Sequence, residues 1–253
     1  MSARPAASRT RRGTRLPSPL LRVLSYNIWN GGEDRLPIIE AVIRSQRAGA
    51  VALLEANDRA EAAGLADRLG MELVYGDANS AFAVAWLSAL PIRATTNHRL
   101  PMLEKTLLEV ELGGVRLFAT HLRAGRTERD ADLRTQEVEA ILETIGDLEC
   151  LLVGDLNAVN PGDEVGVPPP GERLEFVARE PIERLLDAGF VDCYRRHHPD
   201  VRGWTYLTWQ PWARLDFVLA RGDLARRVTS CDVVTGEDAL RASDHLPVVA
   251  ELS

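Results

Sequence analysis

Polar side chains that carry oxygen or nitrogen donors stand where short apolar runs of this sequence stop. They are Asn27, Glu55, His121, the pair Asp155 and Asn157, and the pair Asp244 and His245. Functional residues often collect at strand ends, where a rigid sheet aims several side chains at one cleft. These positions offer no thiolate, and carboxylate and amide oxygens suit Mg²⁺ or Mn²⁺ better than zinc. The pattern predicts a site for a hard cation, with other groups left to handle water and phosphate.

Strands and helices must position these residues. Strands are predicted at residues 21–28, 51–54, 72–75, 81–87, 106–112, 115–120, 150–153, 214–220 and 248–252, and helices at 35–45, 58–69, 132–145 and 181–188. The Gly113-Gly114 pair predicts a two-residue hairpin turn, and the Pro- and Gly-rich residues 159–172 predict a loop. The spacing is too irregular for eight βα units. It favours two sheets packed face to face with helices outside.

Length and composition predict an ordinary soluble domain. The chain has 253 residues, of which 45% are hydrophobic and 26% are charged. Its cysteines (Cys150, Cys193 and Cys231) are odd in number and widely spaced, which is typical of core residues rather than disulfides or a zinc site. No apolar run approaches the roughly 20 residues that cross a bilayer. We expect a cytoplasmic monomer without membrane insertion.

The N-terminal segment differs from the rest of the chain in charge. Residues 1–21 are predicted to be a basic disordered tail, and residues 22–253 a single domain. The first 22 residues carry six arginines and no acid, so removing their charge from the net −7 leaves −13. Such an acidic body lacks the broad basic face of a tight nucleic-acid binder, although bound cations would let it act on phosphates. The tail either contacts nucleic acid or an acidic surface, or is a solvated leader with no role.

Six segments, in order, resemble the endonuclease/exonuclease/phosphatase superfamily. They read LSYNIW, LLEAN, ATHL, VGDLNA, RLDFVLA and SDHLPV, and they lie between about residues 22 and 252. GDLN, RLDF and SDHLP in that order, after a strand-end Asn and Glu, are jointly very specific. The resemblance implies an α+β fold of four layers, α/β/β/α. Two mainly antiparallel sheets would pack face to face with helices outside, and the site would lie at one edge of the sandwich.

The resemblance also implies roles in binding metal and water. Glu55 corresponds to the principal metal-binding glutamate, with Asn27 and Asp244 as nearby metal or water-shell partners. Asp155 corresponds to the residue that orients or deprotonates the attacking water, and Asn157 to one that holds this water or the phosphate. Mg²⁺ is the expected cofactor, with Mn²⁺ and Ca²⁺ as alternatives.

The remaining family positions concern the phosphate. His245 corresponds to the histidine that contacts the scissile phosphate, Asp216 to its carboxylate partner, and His121 to a second histidine of the deoxyribonuclease-like and phosphatase branches. An aspartate behind a histidine favours the protonated imidazole, which suits the charge that develops on phosphate. In-line attack spreads that charge over the equatorial oxygens, where a cation and imidazolium donors stabilise it.

Ordinary structural roles compete with each functional one. Asn27 would serve equally as a turn residue, Glu55 as a helix cap, His121 as a core histidine, and residues 155–157 as an Asx turn. Asp216 lies within an apolar strand, where an unpaired carboxylate is costly. Coincidence of all these residues in the order of the family is the weaker explanation.

Substrate-binding residues are predicted after THL and before RLDF. Arg123, Arg126 and Arg134 would reach a substrate phosphate, although a solvated helix start and a bracing role for Arg134 stay open. The segment WTYLTWQPW holds three tryptophans, of which Trp204 and Trp209 are predicted to be core residues and Trp212 to face the substrate. The histidine of THL argues against the apurinic-endonuclease branch.

The favoured function is a metal-dependent phosphodiesterase or endonuclease that acts on DNA or RNA through an activated water. A phosphatase for sugar-, inositol- or lipid-phosphate monoesters is the enzymatic alternative. A non-catalytic binding protein on the same fold is the alternative from another class. The complete set of Asp, Asn, Glu and His residues counts against this last possibility.

Overall fold

The computed structural model describes residues 21–172 and 177–253, which build two six-stranded sheets. In spatial order the first sheet contains β11 (Val228–Val233), β12 (Val248–Leu252), β1 (Leu21–Asn27), β2 (Ala50–Leu54), β4 (Val84–Ser88) and β3 (Glu72–Gly76). The second contains β5 (Ile92–His98), β6 (Leu107–Leu112), β7 (Val115–His121), β8 (Cys150–Asp155), β10 (Asp216–Arg221) and β9 (Phe190–Asp192). The tail was predicted at residues 1–21. Residues 1–20 lie outside the described residues, and Leu21 is the first residue of β1.

The helices are α1 (Leu36–Gln46), α2 (Arg59–Leu69), α3 (Glu128–Ile145), α4 (Glu180–Asp187), α5 (Cys193–His197), α6 (Asp223–Arg227) and α7 (Glu237–Ala242). All of them except the short α5 and α6 cover the outer faces of the sheets, whereas α5 and α6 pack residues into the space between the sheets. Residues of α1, α2 and α7 share one apolar cluster with the first sheet, and residues of α3 and α4 share another with the second. A third cluster fills the space between the sheets. The predicted four-layer α+β sandwich is therefore confirmed.

Each sheet is mainly antiparallel and contains one parallel pair. β1 pairs with β2 in the first sheet, and β7 pairs with β8 in the second. A helix crosses over between the members of each pair, α1 in the first case and α3 in the second. Parallel strands end at the same edge of a sheet, so both crossovers place two strand ends side by side.

Along each buried strand, successive side chains point alternately into the space between the sheets and towards the helices. In β2, Ala50, Ala52 and Leu54 face the second sheet, whereas Val51 and Leu53 face the helices. Because successive side chains point to opposite faces, a run that is apolar at every position is buried on both sides. These fully apolar runs are the ones that the sequence identifies most readily.

Several elements differ from their predictions. Strands β5, β9 and β11 and helices α5, α6 and α7 were not predicted, and β10 begins at Asp216 rather than at residue 214. Helix α3 begins at Glu128 instead of residue 132, because the Thr127 side chain accepts from the Asp130 backbone N–H and the Asp130 carboxylate accepts from that of Thr127. None of the helices in the described ranges is long and apolar enough to cross a membrane.

Candidate active site

Three polar side chains line up across the end of the second sheet. The register pairs His121 of β7 with Asp155 of β8, and Asp155 with Asp216 of β10. Each continues the row of its strand that faces the other sheet, as Leu151 and Val153 do in front of Asp155. The polar ends of these rows therefore meet at one end of the apolar core, where the site begins.

The first sheet contributes Asn27 from the end of β1. Its Nδ2 donates to Asp155 Oδ2 at 3.0 Å and lies 3.3 Å from Glu55 Oε1. Asn27 Oδ1 accepts from the Trp29 backbone N–H at 3.0 Å, so the residue also closes a turn. Asn27 thus links the two sheets through a single amide.

Asp155 is the centre of the cluster. Besides Asn27, its carboxylate meets the Asn157 backbone N–H at 3.0 Å, His121 Nε2 at 3.3 Å and His245 Nε2 at 3.6 Å. The side chain is buried, and burial raises its pKa, with the charge of Asp216 acting in the same direction and that of His245 against it. A carboxylate with a raised pKa is a better proton acceptor than an ordinary aspartate.

His245 and Asp216 form a buried pair. His245 Nδ1 lies 2.8 Å from Asp216 Oδ2, and the Tyr206 ring stacks beside the imidazole with centroids 4.7 Å apart. Burial opposes the charged imidazolium, but the carboxylates of Asp216 and Asp155 outweigh it and raise the pKa of His245 to about 10. His245 is therefore protonated at neutral pH, and besides the N–H that it donates to Asp216 it carries a second N–H at Nε2.

His121 has the opposite electrostatics. Burial and the positive charges of Lys105 and His245 lower its pKa well below the usual value. Lys105 is buried and donates from Nζ to the Leu122 carbonyl at 3.0 Å, while Asn157 Nδ2 lies 3.1 Å from His121 Nε2. The cluster therefore holds one neutral and one charged imidazole.

Two carboxylates meet on the first-sheet side of the cluster. Glu55 follows β2 in a left-handed conformation, with φ at 60°, and its Oε2 accepts from the Asn30 backbone N–H at 2.8 Å. Burial raises the pKa of Asp244, and the charge of Glu55 raises it further, against the effect of His245. Glu55 does not cap the next helix, because the Asp58 carboxylate accepts from the first backbone amides of α2.

The donor chemistry at this point fits a divalent cation. The carboxylates of Glu55 and Asp244 are hard oxygen donors, and a dication would relieve the repulsion between them, whereas Asn27 directs its Nδ2 rather than its oxygen towards Glu55. Asp155, Asp216 and His245 form a second group whose potential ligand atoms lie within 4.8 Å of one another. In that group Asp216 and His245 already pair with each other, which leaves Glu55 and Asp244 as the better first site.

A pocket of about 120 Å³ opens beside Asn157. Its lining includes Arg126, Arg134, Glu172, Tyr206, Trp212 and Leu215. Trp212 is buried in this wall, and its indole Nε1 has no hydrogen-bond partner among the described residues. A polar atom buried without a partner is costly, so a ligand acceptor in the pocket would stabilise it.

The predicted arginines occupy different environments. Arg126 is exposed and pairs with Glu172 at the pocket rim. The buried Arg134 donates to the backbone carbonyls of Arg123 and Gly125 at 3.1 and 3.3 Å, so it braces this loop as well as lining the pocket. The Arg123 side chain pairs with Glu104 at 2.9 Å.

Sequence reasoning misplaced or missed several residues of the site. The prediction that Trp209 is a core residue is wrong, since its side chain is 63% exposed, and Trp204 is only half-buried. Lys105 and Tyr206 were not predicted at all. Lys105 stands just before an ordinary strand pattern, and its position near His121 depends on contacts between β6 and β7.

A family model named the Endonuclease/Exonuclease/phosphatase family matches residues 24–245. An exodeoxyribonuclease of Bacillus subtilis (strain 168) is 28% identical over 136 residues, which are 46% of this chain and 51% of that protein. The chain thus spans about half the length of this curated relative.

Solved structures share the fold across most of the chain. An AP endonuclease from Archaeoglobus fulgidus superposes with a TM-score of 0.78 and 22% identity, covering 92% of this chain and 99% of the other. The 3'-5' exonuclease NExo from Neisseria meningitidis superposes with a TM-score of 0.77 and 21% identity, covering 92% and 100%. Another structure of NExo from Neisseria, described as a 3' phosphatase bound to a DNA hairpin product, has a TM-score of 0.76 and 20% identity and covers 92% and 99%.

Proposed function

The chain belongs to the endonuclease/exonuclease/phosphatase family, and from that premise we propose that it is a divalent-metal-dependent phosphodiesterase that cleaves nucleic acid by in-line attack of water. One observation carries the proposal. A buried carboxylate with a raised pKa, that of Asp155, lies 3.6 Å from the protonated imidazole of His245. A proton acceptor and a charged hydrogen-bond donor thus occur in one cluster, and in-line hydrolysis of a phosphoester uses both.

Glu55 and Asp244 would hold Mg²⁺, with the Asn27 amide beside them. Mn²⁺ or Ca²⁺ would fit the same oxygen donors. When bound, the ion would neutralise the charge that builds on the phosphate and on the leaving oxygen. The chain needs this neutralisation because its own net charge is −7 and would repel a phosphate.

Asp155 and Asn157 would position the attacking water. The Asn157 backbone N–H and the Asn27 amide hold the Asp155 carboxylate in place, at 3.0 Å each. Asp155 would accept the proton of the water as it attacks phosphorus. A general base of this kind contributes about 10²–10⁴-fold to the rate.

His245 would donate a hydrogen bond from Nε2 to a non-bridging phosphate oxygen. Asp216 holds the ring through Nδ1 and keeps it charged, so the donor strengthens as negative charge develops. The neutral His121, which lies 3.3 Å from Asp155, would orient the same phosphate from the other side. Arg123, Arg126, Arg134 and Trp212 would contact the remainder of the substrate, with Arg134 acting mainly through the loop that it braces.

A phosphatase is the second candidate. The pocket beside Asn157 contains arginines at its rim and in its wall, which would suit the extra charge of a phosphomonoester. The solved structures that share this fold include an exonuclease and a 3' phosphatase, and their likeness to this chain concerns the fold alone.

A substrate panel separates these possibilities. We would assay bis-p-nitrophenyl phosphate, p-nitrophenyl phosphate, single-stranded and plasmid DNA, RNA and inositol phosphates with Mg²⁺, Mn²⁺ and Ca²⁺. Diester and DNA cleavage that EDTA abolishes is expected, and turnover of monoesters alone would assign a phosphatase. No turnover with any metal would overturn the enzymatic proposal.

The variant Asp155→Asn tests the proposed base in the same assays. It should lose about 10²–10⁴-fold in kcat. The matched control is Asp147→Asn, because Asp147 is fully exposed, and it should retain wild-type turnover. Equal activity of the two variants would exclude Asp155 as the base.

A further inference from the structure

Two exposed tryptophans lie together at the rim of the site. Trp29 is 40% exposed and Trp209 is 63% exposed, and their ring centroids are 6.3 Å apart at an interplanar angle of 44°. Large aromatic side chains seldom remain this accessible without a partner. Neither residue belongs to an apolar core cluster of the described structure.

The site itself anchors the backbone that carries both rings. The Trp29 N–H donates to Asn27 Oδ1 at 3.0 Å, and the next N–H, that of Asn30, donates to Glu55. On the other side, the Thr208 N–H donates to the Asp244 carbonyl at 3.0 Å and its hydroxyl to the Ser243 carbonyl at 2.9 Å. The Trp29–Trp209 pair is thus tied to the two residues that would hold the cation.

Arg35 adds a positive charge to the pair. Its guanidinium lies 4.7 Å from the centroid of the Trp29 ring and donates to the backbone carbonyls of Trp29, Ile28 and Ala242. These bonds hold the guanidinium against the indole. A cation behind an aromatic surface suits a polyanion that carries aromatic groups, and a nucleic-acid strand is one.

The position of the pair assigns it a side of the phosphate. Attacking and leaving oxygens lie on opposite sides of phosphorus in an in-line displacement. Asp155 and Asn157, which would hold the water, adjoin the pocket lined by Tyr206 and Trp212. The backbone that carries the Trp29–Trp209 pair is instead bonded to Glu55 and to the Asp244 carbonyl, and in the proposed function a cation held by these two residues would neutralise the leaving oxygen.

We propose that the Trp29–Trp209 pair is a stacking surface for the nucleobase on the leaving-group side of the scissile phosphate. This inference rests on the proposed function and narrows it. The substrate would be a phosphodiester whose leaving group carries a base, which a sugar or inositol monoester does not provide. Each stacked base adds about 5- to 150-fold to affinity, the equivalent of 1–3 kcal/mol.

The test uses short oligonucleotides in which one base at a time is replaced by a tetrahydrofuran residue. In the wild-type chain, loss of the base on the leaving-group side should raise KM by about 5- to 150-fold. In Trp29→Leu and Trp209→Leu, the ratio of KM values for the abasic and intact substrates should fall towards one. Mapping the cleaved bond identifies which base is on that side.

Trp204→Leu is the matched control, because this half-buried tryptophan donates from Nε1 to the Glu164 carbonyl, outside the site. It should keep the wild-type KM ratio. If both Trp29→Leu and Trp209→Leu keep the wild-type ratio of KM values for abasic and intact substrates, the stacking surface is overturned. It is also overturned if these variants lose turnover equally on the intact and the abasic substrates. If the wild-type chain cleaves none of the oligonucleotides under any metal condition, the proposed function fails instead.

Discussion

Two histidines of the site show how neighbours decide the chemistry of a residue. His245 faces the carboxylates of Asp216 and Asp155, so its pKa is raised to about 10. His121 is buried near the cations of Lys105 and His245, so its pKa is lowered. The imidazole of His245 is therefore charged at neutral pH, whereas that of His121 is neutral, and both lie beside the Asp155 carboxylate.

Asp216→Asn tests the charge behind His245. Asparagine has nearly the same shape but removes the negative charge that keeps the ring protonated, so we expect kcat/KM to fall by about 10²–10⁴-fold while the fold survives. Steady-state kinetics and thermal melting of the same samples check this. Activity near that of Asp147→Asn would show that the pair is structural.

At the scale of elements, the close contact between β7 and β8 brings His121 beside Asp155. Gly154 pairs with Thr120 in this ladder, at a φ of +151°. A Cβ at position 154 would lie 1.8 Å from the Thr120 carbonyl oxygen, so only glycine permits the two strands to approach. The glycine of the GDLN segment is thus required by packing.

Gly154→Ala should destabilise the protein by about 3 kcal/mol or more, because backbone atoms of two central strands must separate. Urea unfolding measures the loss. Gly70→Ala is the matched control. Gly70 also has a positive φ, +68°, in the left-handed helical region, but nothing lies within 4 Å of its added Cβ, so a cost of about 1 kcal/mol is expected. Equal losses would contradict the steric argument.

A buried ionic network ties the loop after β8 to strands β9 and β10. Arg214 donates from Nε to Asp163 at 2.8 Å and from Nη1 to Asp192 at 3.1 Å, and all three side chains are buried. Removing one partner of a buried network leaves the others as uncompensated charges. The arginine of the RLDF segment therefore supports the start of β10, where Asp216 stands.

Arg214→Met should cost about 3–5 kcal/mol of unfolding free energy, since the buried Asp192 carboxylate loses its cation and Asp163 keeps only Arg195. Arg202→Met provides the comparison. Arg202 pairs with Glu164 at 2.8 Å at the surface, with both side chains more than half exposed, and its loss should cost less than about 1 kcal/mol. Denaturant titrations of both variants decide the point, and a small loss in Arg214→Met would refute it.

At the scale of the whole molecule, a bound cation would affect stability as well as substrate binding. The net charge of the chain is −7, and the negative charge of Glu55 raises the pKa of Asp244, so a cation would relieve the repulsion between these two acids. A ligand that binds only the folded state stabilises it in proportion to its occupancy. Metal binding should therefore be visible without any assay of activity.

Mg²⁺ at about 100 times its dissociation constant should add about 2.7 kcal/mol and raise Tm by about 5–10 °C. Glu55→Gln should lose most of this shift, whereas Glu143→Gln, at an exposed position of α3, should retain it. Differential scanning fluorimetry with and without EDTA measures it. A shift of wild-type size in Glu55→Gln would place the ion elsewhere.

The sequence by itself determined the buried strands and the polar residues at their ends. The run AVALL of β2 and the run CLLV that begins β8 are apolar at every position, so their burial and the place where they stop are local facts. The Gly-Gly turn and the order of the motifs are equally local. For this reason the four-layer fold and the meeting of Asn27, Asp155, Asp216 and His245 could be predicted, while the catalytic role of each remains a prediction.

Tertiary structure alone decided the exposure and charge of the residues around them. β5 has mostly exposed side chains and lies at a sheet edge, so no apolar pattern marks it. Lys105 beneath His121, Tyr206 against His245, and the exposed Trp29–Trp209 pair all depend on contacts between distant segments. Burial and electrostatic fields are sums over neighbours in space, and the sequence lists neighbours only along the chain.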